Sequence, residues 1–209
     1  MVEFEKFIFH LKKRINTNLP GKDSHKKMKV NYSEKIKFPY SKNEAKPAAV
    51  LLLLYPNNSK IYFYLTKRTE SLKYHKGQIS LPGGSKEKGE TLLETALRET
   101  EEEIGINKTE ISILGNITPL FIPVTGFIMT PFIGFISKRP LIKLDSTEVA
   151  AIFSVNILDL INNDKLITYR QIKGKNLNIP YFSLNNHQVW GATSMVLSEF
   201  KDIIHLIKQ

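Results

Sequence analysis

The stretch from Gly84 to Ile106, GSKEKGETLLETALRETEEEIGI, contains the clearest structural signal in the chain. Thr91 followed three residues later by Glu94 is a capping-box pattern, which predicts the start of a helix. Gly105 stands where a left-handed residue commonly ends one. Between these two signals a stripe recurs at helical spacing that is expected to face the core, formed by Leu93, Ala96, Leu97, Thr100 and Ile104.

The same predicted helix carries three glutamates on one face. Glu99, Glu102 and Glu103 are spaced i, i+3 and i+4, so they lie next to each other beside the apolar stripe. Like charges at this spacing repel one another, and most glutamate-rich helices turn such a face to water. The other interpretation is a metal site, because hard divalent cations such as Mg²⁺ bind carboxylate oxygens.

The spacing of the whole stretch resembles the Nudix box, whose pattern is G-x5-E-x7-R-E-U-x-E-E-x-G-U, with U a bulky aliphatic residue. The matching positions are Gly84, Glu90, Arg98, Glu99, Glu102, Glu103, Gly105 and Ile106. Thr100 occupies the first aliphatic position, where its methyl group can still pack. The resemblance implies an α/β fold of the Nudix type, an α/β/α sandwich with a mixed sheet, over about residues 46–209.

The resemblance also implies a chemistry. Nudix proteins typically hydrolyse a nucleoside diphosphate linked to another group, and Mg²⁺ or Mn²⁺ is the expected cofactor because a metal ion shields the anionic diphosphate. The metal ligands implied are Glu99, Glu102, Glu103 and the carbonyl of Gly83. Arg98 is expected to orient the carboxylates by charge-assisted hydrogen bonds, with Glu90 in a supporting position outside the ligand set.

Family members often add an acid from a loop, which draws attention to the segment LDSTEVAAIF. Glu148 is the candidate there and Asp145 the second choice; a surface position at the start of a strand is the competing interpretation of Glu148. The general base stays open between Glu99, Glu102 and Glu148. Together with Arg98, these three glutamates form the predicted catalytic set.

A second motif, L-L-T-x-R-[SA]-x3-R-x3-G-x3-F-P-G-G, marks the coenzyme A diphosphatase branch of the Nudix family. This chain resembles it in spacing throughout, with Leu65-Thr66-Lys67-Arg68-Thr69, Lys73, Gly77 and Leu81-Pro82-Gly83-Gly84. It departs from the motif at four positions, which are Tyr64, Thr69, Lys73 and Leu81. Lys73 keeps the positive charge of the motif's arginine but loses its bidentate geometry.

This branch implies hydrolysis of coenzyme A and acyl-coenzyme A to 3′-phosphoadenosine 5′-phosphate and 4′-phosphopantetheine or its acyl form. The substrate-binding residues implied are Arg68, Lys73, His75 and Gln78. Coenzyme A carries a diphosphate and a 3′-phosphate, either of which Arg68 is placed to meet. The ordinary interpretation of the cations is a basic surface loop.

Two alternatives stay open. One is a Nudix hydrolase of another substrate, such as ADP-ribose, NADH or a damaged nucleotide. The other, from a different class, is a non-catalytic module that binds a nucleotide or RNA, suggested by the basic N-terminal segment. The intact acidic set argues against a pure binding module, and no interleaving of aromatic and basic residues typical of single-strand binding is evident. Nucleic acid is therefore not expected as a partner.

Composition limits the setting. The chain of 209 residues has a net charge of +10, and residues 1–47 contribute +7 of it, with 12 Lys and Arg against 5 Asp and Glu. There is no cysteine, which excludes disulfides, thiolate catalysis and cysteine-based zinc sites. The N-terminus does not resemble a signal peptide, and the longest apolar run, at residues 48–55, is too short to span a bilayer. A cytoplasmic protein without a membrane partner is expected, as a monomer or homodimer.

Patterning along the chain predicts two parts. Residues 1–45 should hold an amphipathic helix over about 3–17 and a basic extension, with residues 22–47 mostly irregular. Residues 46–209 should form the Nudix domain. Its strands are predicted at 48–55, 61–66, 111–117, 127–136 and 149–153. A short helix at 157–161, a hairpin over 163–188 turning at Gly174 and a closing helix at 192–207 complete the prediction.

Overall fold

The computed structural model describes residues 2–31, 38–70, 77–172 and 175–207. The α-helices of these residues are α1 (Val2–Ile15), α2 (Lys22–Lys27), α3 (Leu92–Ile104), α4 (Ile157–Ile161) and α5 (Gly191–Ile207). The strands are β1 (Lys46–Asn57), β2 (Lys60–Arg68), β3 (Ile79–Ser80), β4 (Gly83–Ser85), β5 (Ser112–Asn116), β6 (Leu120–Ile122), β7 (Phe127–Phe135), β8 (Val149–Asn156), β9 (Leu166–Ile172), β10 (Lys175–Leu184) and β11 (His187–Trp190).

Strand β1 is the centre of the main sheet. It pairs antiparallel with β2 across a tight turn in which Asn58 and Ser59 have positive φ, and parallel with β7 over nine residue pairs. Strand β4 pairs antiparallel with β1, and β8 with β2. Both directions of pairing therefore occur, and the predicted mixed sheet is confirmed.

The continuous apolar run in β1 is buried on both faces, as expected for a strand between two layers. Val50, Leu52 and Leu54 pack into one core, which also contains residues of α1 and α5. Leu51 and Leu53 point the other way, into a second core that contains residues of α3. Helices thus cover both faces of the sheet, and the predicted α/β/α sandwich is confirmed.

The N-terminal segment packs into the same core as the sheet. The apolar stripe of α1 is buried, so the amphipathic helix is confirmed, although it ends at Ile15. Residues 22–27 were expected to be irregular and instead form α2. This prediction is wrong because contacts distant in sequence hold the segment: His25 is buried against Glu199 of α5, and Ser24 hydrogen-bonds Asp202.

A second, three-stranded sheet lies after α4, in the order β11, β10, β9. The predicted hairpin is confirmed by the antiparallel pairing of β9 with β10, and its turn at Gly174 falls outside the described residues. Strands β3, β4, β6 and β11 were not predicted, because each is only two to four residues long and depends on a neighbouring strand. Among the helices of the described residues, none is long and apolar enough to cross a bilayer.

Candidate functional site

Helix α3 begins and ends where its local sequence predicts. The Thr91 hydroxyl accepts a hydrogen bond from the Glu94 N–H, and the Glu94 carboxylate accepts one from the Thr91 N–H at 2.7 Å. Gly105 adopts φ 72°, the left-handed conformation that ends the helix. Thr100, which departs from the box, is fully buried and donates to the Ala96 carbonyl at 2.7 Å, so the polar residue is accommodated without an unpaired hydroxyl.

Strand β4 brings two glycines against α3. A Cβ at Gly84 would lie 2.4 Å from Glu99 Oε1. No residue larger than glycine therefore fits at this position while the carboxylate stays in place. A Cβ at Gly83 would lie 2.3 Å from the Ala49 carbonyl oxygen. The Gly83 N–H lowers the pKa of the Glu103 carboxylate. Gly84 therefore allows the β4 backbone to approach the acidic face of the helix, and Gly83 allows it to approach β1.

Arg98 binds three of the box carboxylates at once. Its Nη1 donates to Glu99 Oε1 and to Glu102 Oε2, both at 2.9 Å. Its Nε and Nη2 hold both oxygens of Glu90, at 3.1 and 2.9 Å, and Nη2 also donates to the Ser85 carbonyl at 3.3 Å. Arg98 thus makes the hydrogen bonds by which it is expected to orient the carboxylates. These partners, Glu90 first, raise the pKa of the guanidinium.

Glu90 is fixed from several sides. Besides Arg98, its Oε1 accepts hydrogen bonds from the Glu87 N–H at 2.6 Å and the Thr95 hydroxyl at 2.8 Å. Chiefly because of Arg98, the pKa of Glu90 is lowered to about 2, so the side chain is a permanent carboxylate at neutral pH. Both of its oxygens accept hydrogen bonds from these donors, so Glu90 fixes the position of the Arg98 guanidinium.

Glu103 is the most deeply buried acid of the face, with its side chain 2% exposed. Burial raises its pKa to about 8, although Arg68 and the Gly83 N–H act in the opposite direction. Arg68 Nη1 lies 3.4 Å from Glu103 Oε1. Among the described residues, neither Glu103 Oε2 nor Arg68 Nε has a hydrogen-bond partner, although both atoms are buried.

The three glutamates of the face differ in environment. Side-chain exposure is 15% for Glu99 and 58% for Glu102, against the nearly complete burial of Glu103. Of the three, Glu103 is part of the buried surface of the helix, while two residues of the predicted apolar stripe, Leu93 and Leu97, are only partly buried.

The loop before β8 brings Glu148 to this acidic face. Burial raises the pKa of Glu99, and the charges of Glu102 and Glu148 add to the effect; Glu148 also raises the pKa of Glu103. Asp145 has a different role in the same loop. Its carboxylate accepts hydrogen bonds from the hydroxyl and the N–H of Thr147, at 2.7 and 2.8 Å, which lower its pKa and shape the turn. The geometry thus separates the two loop candidates.

The described residues contain no group of three acidic or histidine side chains already gathered around a common point for a metal ion. Arg98 holds the carboxylates of Glu99 and Glu102 instead. Two observations nevertheless fit a hard divalent cation. The donor set is carboxylate oxygen, which Mg²⁺ and Mn²⁺ prefer, and the buried, unpartnered Oε2 of Glu103 has capacity for one more contact.

The four predicted substrate-binding residues fall into two groups. Lys73 and His75 lie outside the described residues. Arg68, at the end of β2, and Gln78, just before β3, are joined by a hydrogen bond from the Arg68 N–H to the Gln78 carbonyl at 3.0 Å. The pairing of Arg68 with Glu103 was not predicted, because nothing in the sequence links β2 to the helix. The contacts of the Ser85 carbonyl with Arg98 and of Thr95 with Glu90 were also missed, since both depend on the path of the chain between β4 and α3.

Comparison with known proteins assigns the chain to a family. The profile of the NUDIX domain matches residues 45–171, more than half of the chain. The chain belongs to the Nudix family. It is 34% identical over 169 residues to Nudix hydrolase 3 of Caenorhabditis elegans, an alignment that covers 72% of this chain and 70% of the relative.

Other relatives of this Nudix hydrolase agree. A protein of Photorhabdus laumondii named as an uncharacterized Nudix hydrolase, NudL, is 30% identical over 140 residues, covering 65% of this chain and 73% of its own. Among solved structures, a Nudix hydrolase from M. smegmatis, RenU, superposes with a TM-score of 0.55 at 16% identity, over 77% of this chain and 86% of that one. The structural likeness shows the fold, and the sequence relatives show that the protein is a hydrolase that acts on a substrate of the nucleoside diphosphate type.

Proposed function

We propose that this Nudix hydrolase cleaves the diphosphate bond of coenzyme A and of acyl-coenzyme A. The products are 3′-phosphoadenosine 5′-phosphate and 4′-phosphopantetheine or its acyl form. One observation carries the proposal: Arg68, which matches the arginine of the coenzyme A motif, pairs with Glu103 of the box at 3.4 Å. An arginine of that motif that lies outside the box in sequence is therefore paired with a carboxylate of the box.

The acidic face supplies the reaction centre in this proposal. Glu99, Glu102 and Glu103, with the Gly83 carbonyl, would hold Mg²⁺ or Mn²⁺. When bound, the ion neutralises part of the diphosphate charge and lowers the pKa of a water molecule. Arg98 orients Glu99 and Glu102 while it stays anchored on Glu90, so the two carboxylates need little reorganisation when substrate arrives.

The remaining residues act on the substrate and its proton. Arg68 borders the buried Glu103 and is 24% exposed, so part of its guanidinium can meet an anionic oxygen of the diphosphate. The base that accepts the proton of the attacking water is one of Glu99, Glu102 and Glu148. Substitution of each by glutamine, with turnover and metal affinity measured separately, distinguishes the base from a ligand, since a base can be lost without weaker metal binding.

The test is a panel of diphosphates incubated with the purified protein and Mg²⁺ or Mn²⁺, with products separated by chromatography. The panel contains coenzyme A, octanoyl-coenzyme A, ADP-ribose and NADH. The Glu102→Gln protein, purified in the same way, controls for a contaminating hydrolase. We expect the highest kcat/KM for the coenzyme A compounds. If ADP-ribose or NADH is hydrolysed and coenzyme A is not, the assignment to the coenzyme A branch is wrong while the reaction class stands.

A further inference from the structure

A cleft outside the acidic face lies beside strands β2 and β8. Its volume is about 540 Å³, within the range of roughly 300–1,000 Å³ typical of small-molecule pockets. The lining residues that matter here are Tyr64, Arg139, Leu141, Ile142, Ile152 and Ser154. Nothing in the reaction centre described above uses this cleft.

Tyr64 contributes a buried polar group to the cleft. The residue is 2% exposed, and its ring stacks on Tyr55 with centroids 4.4 Å apart. Its hydroxyl lies near the Tyr55 hydroxyl and Arg139, yet it makes no hydrogen bond of regular geometry within the described residues. A buried hydroxyl without a partner is unfavourable, so an acceptor atom brought to it would be favourable.

The lining of the cleft indicates the chemistry of its ligand. Leu141, Ile142 and Ile152 form apolar walls, and Leu141 is 95% exposed, so a ligand in the cleft would cover it. The polar groups are the guanidinium of Arg139, which only donates, and the hydroxyls of Tyr64 and Ser154, which can donate. None of the described residues that line the cleft is acidic. An apolar chain that carries carbonyl oxygens satisfies both kinds of surface.

The cleft and the reaction centre share two elements. Tyr64 and Arg68 are four residues apart in β2, so they emerge on the same face of the strand about 13 Å apart. The loop that contributes Arg139 and Leu141 to the cleft is tied to the last turn of α3, because the Lys143 N–H donates to the Ile104 carbonyl at 3.1 Å. The same loop then reaches Glu148 at the acidic face.

We propose that the cleft between β2, β8 and the loop at residues 139–142 binds the acyl-pantetheine arm of the substrate. The proposal rests on the proposed function, since it requires a diphosphate whose other end is such an arm. When extended, the arm is long enough to reach from a diphosphate beside Arg68 to the cleft at Tyr64. Its hydrocarbon and geminal methyl groups match the apolar walls, and its amide carbonyls match the donors of Arg139 and Tyr64.

The test uses octanoyl-pantetheine, which has the arm but no diphosphate, and measures its dissociation constant with the full-length protein by calorimetry without metal. We expect binding by the unaltered protein. Arg139→Gln and Leu141→Asp should each weaken it about tenfold, the scale of one charge-assisted hydrogen bond or of a lost apolar wall. Tyr64→Phe, which removes only the hydroxyl, should weaken it severalfold.

Matched controls are available near the cleft. Lys138→Gln removes one positive charge from the adjacent position, and Leu158→Asp makes the same apolar-to-acidic change on the surface of α4, where the side chain is 45% exposed. Both should leave the dissociation constant within twofold. Equal binding by Arg139→Gln and Lys138→Gln, or no binding by the unaltered protein, overturns the proposal. Because no diphosphate is cleaved in this assay, a failure of coenzyme A hydrolysis would be seen separately.

Discussion

Arg68 Nη1 lies 3.4 Å from Glu103 Oε1, and this contact joins strand β2 to helix α3 at the acidic face. The carboxylate is 2% exposed and the arginine side chain 24% exposed. A buried carboxylate left without its partner is strongly disfavoured. The arginine is therefore held at the acidic face.

Arg68→Ala should lower kcat/KM for coenzyme A and for dephospho-coenzyme A by similar factors, about ten- to a hundredfold, the scale of a charge-assisted hydrogen bond. The reason is that the guanidinium borders Glu103 at the acidic face. The proposed reaction places the diphosphate there, and both substrates have the same diphosphate. Arg68→Lys, which keeps the charge, should lose less. A preference for coenzyme A that disappears in the alanine variant would instead assign Arg68 to the 3′-phosphate.

Glu102→Gln should lower turnover by about 100- to 1,000-fold with a smaller change in the Michaelis constant. A ligand of the metal acts mainly on charge that develops in the transition state, and loss of one preorganised electrostatic group costs about 3–4 kcal/mol. Steady-state kinetics measures both constants. Glu101→Gln, the preceding position of the same helix, is the matched control and should change neither by more than about twofold. A loss below tenfold for Glu102→Gln would remove it from the ligand set.

Gly84→Ala should reduce activity at least about tenfold. The added Cβ would lie 2.4 Å from Glu99 Oε1, so the carboxylate must leave its position beside Arg98. Misplacement of a reacting group by about 1 Å is enough for losses of this size. Ser85→Ala, one residue further along β4, keeps the backbone carbonyl that binds Arg98 and should retain activity. Full activity of the Gly84 variant would show that Glu99 can move without consequence.

Chelation of divalent metal should abolish hydrolysis and leave the fold in place. In the structure, Arg98 compensates Glu99 and Glu102, and Arg68 compensates Glu103, so the acidic face is not left bare when no ion is bound. Far-UV circular dichroism before and after chelation checks the fold, and addition of Mg²⁺ should restore turnover. Loss of helical signal on chelation would mean that Arg98 and Arg68 do not compensate the charge of the acidic face well enough to keep the fold.

Glu199→Ala should destabilise the protein by about 3 kcal/mol or more, a fall in Tm of about 6–12 °C for a chain of this size. The carboxylate is fully buried and accepts hydrogen bonds from His25, the Gly21 N–H and the hydroxyl and N–H of Thr118. All of these donors lose their acceptor together. Thermal denaturation of Glu199→Ala beside the exposed control Glu110→Ala measures the difference. Equal melting temperatures would show that α2 contributes nothing to the fold.

Local sequence determined the helix at the centre of the site and much of the sandwich. The capping box of Thr91 and Glu94 and the left-handed Gly105 act within a few residues, so α3 could be placed to within one residue. The continuous apolar run of β1 likewise predicted that this strand is buried on both faces. The resemblance to the Nudix box also rests on sequence alone, and it includes the acidic residues and Arg98.

Tertiary structure alone decided which of those residues touch. Arg68 meets Glu103, and Gly84 makes room for Glu99, because β2, β4 and α3 are brought together by the sheet. The polar segment at 22–27 became helical only through burial of His25 on Glu199. These outcomes depend on pairs separated by up to 174 residues, and a sequence pattern carries no information about such distances. Capping and periodicity are local interactions, whereas burial and long-range pairing are properties of the packed chain.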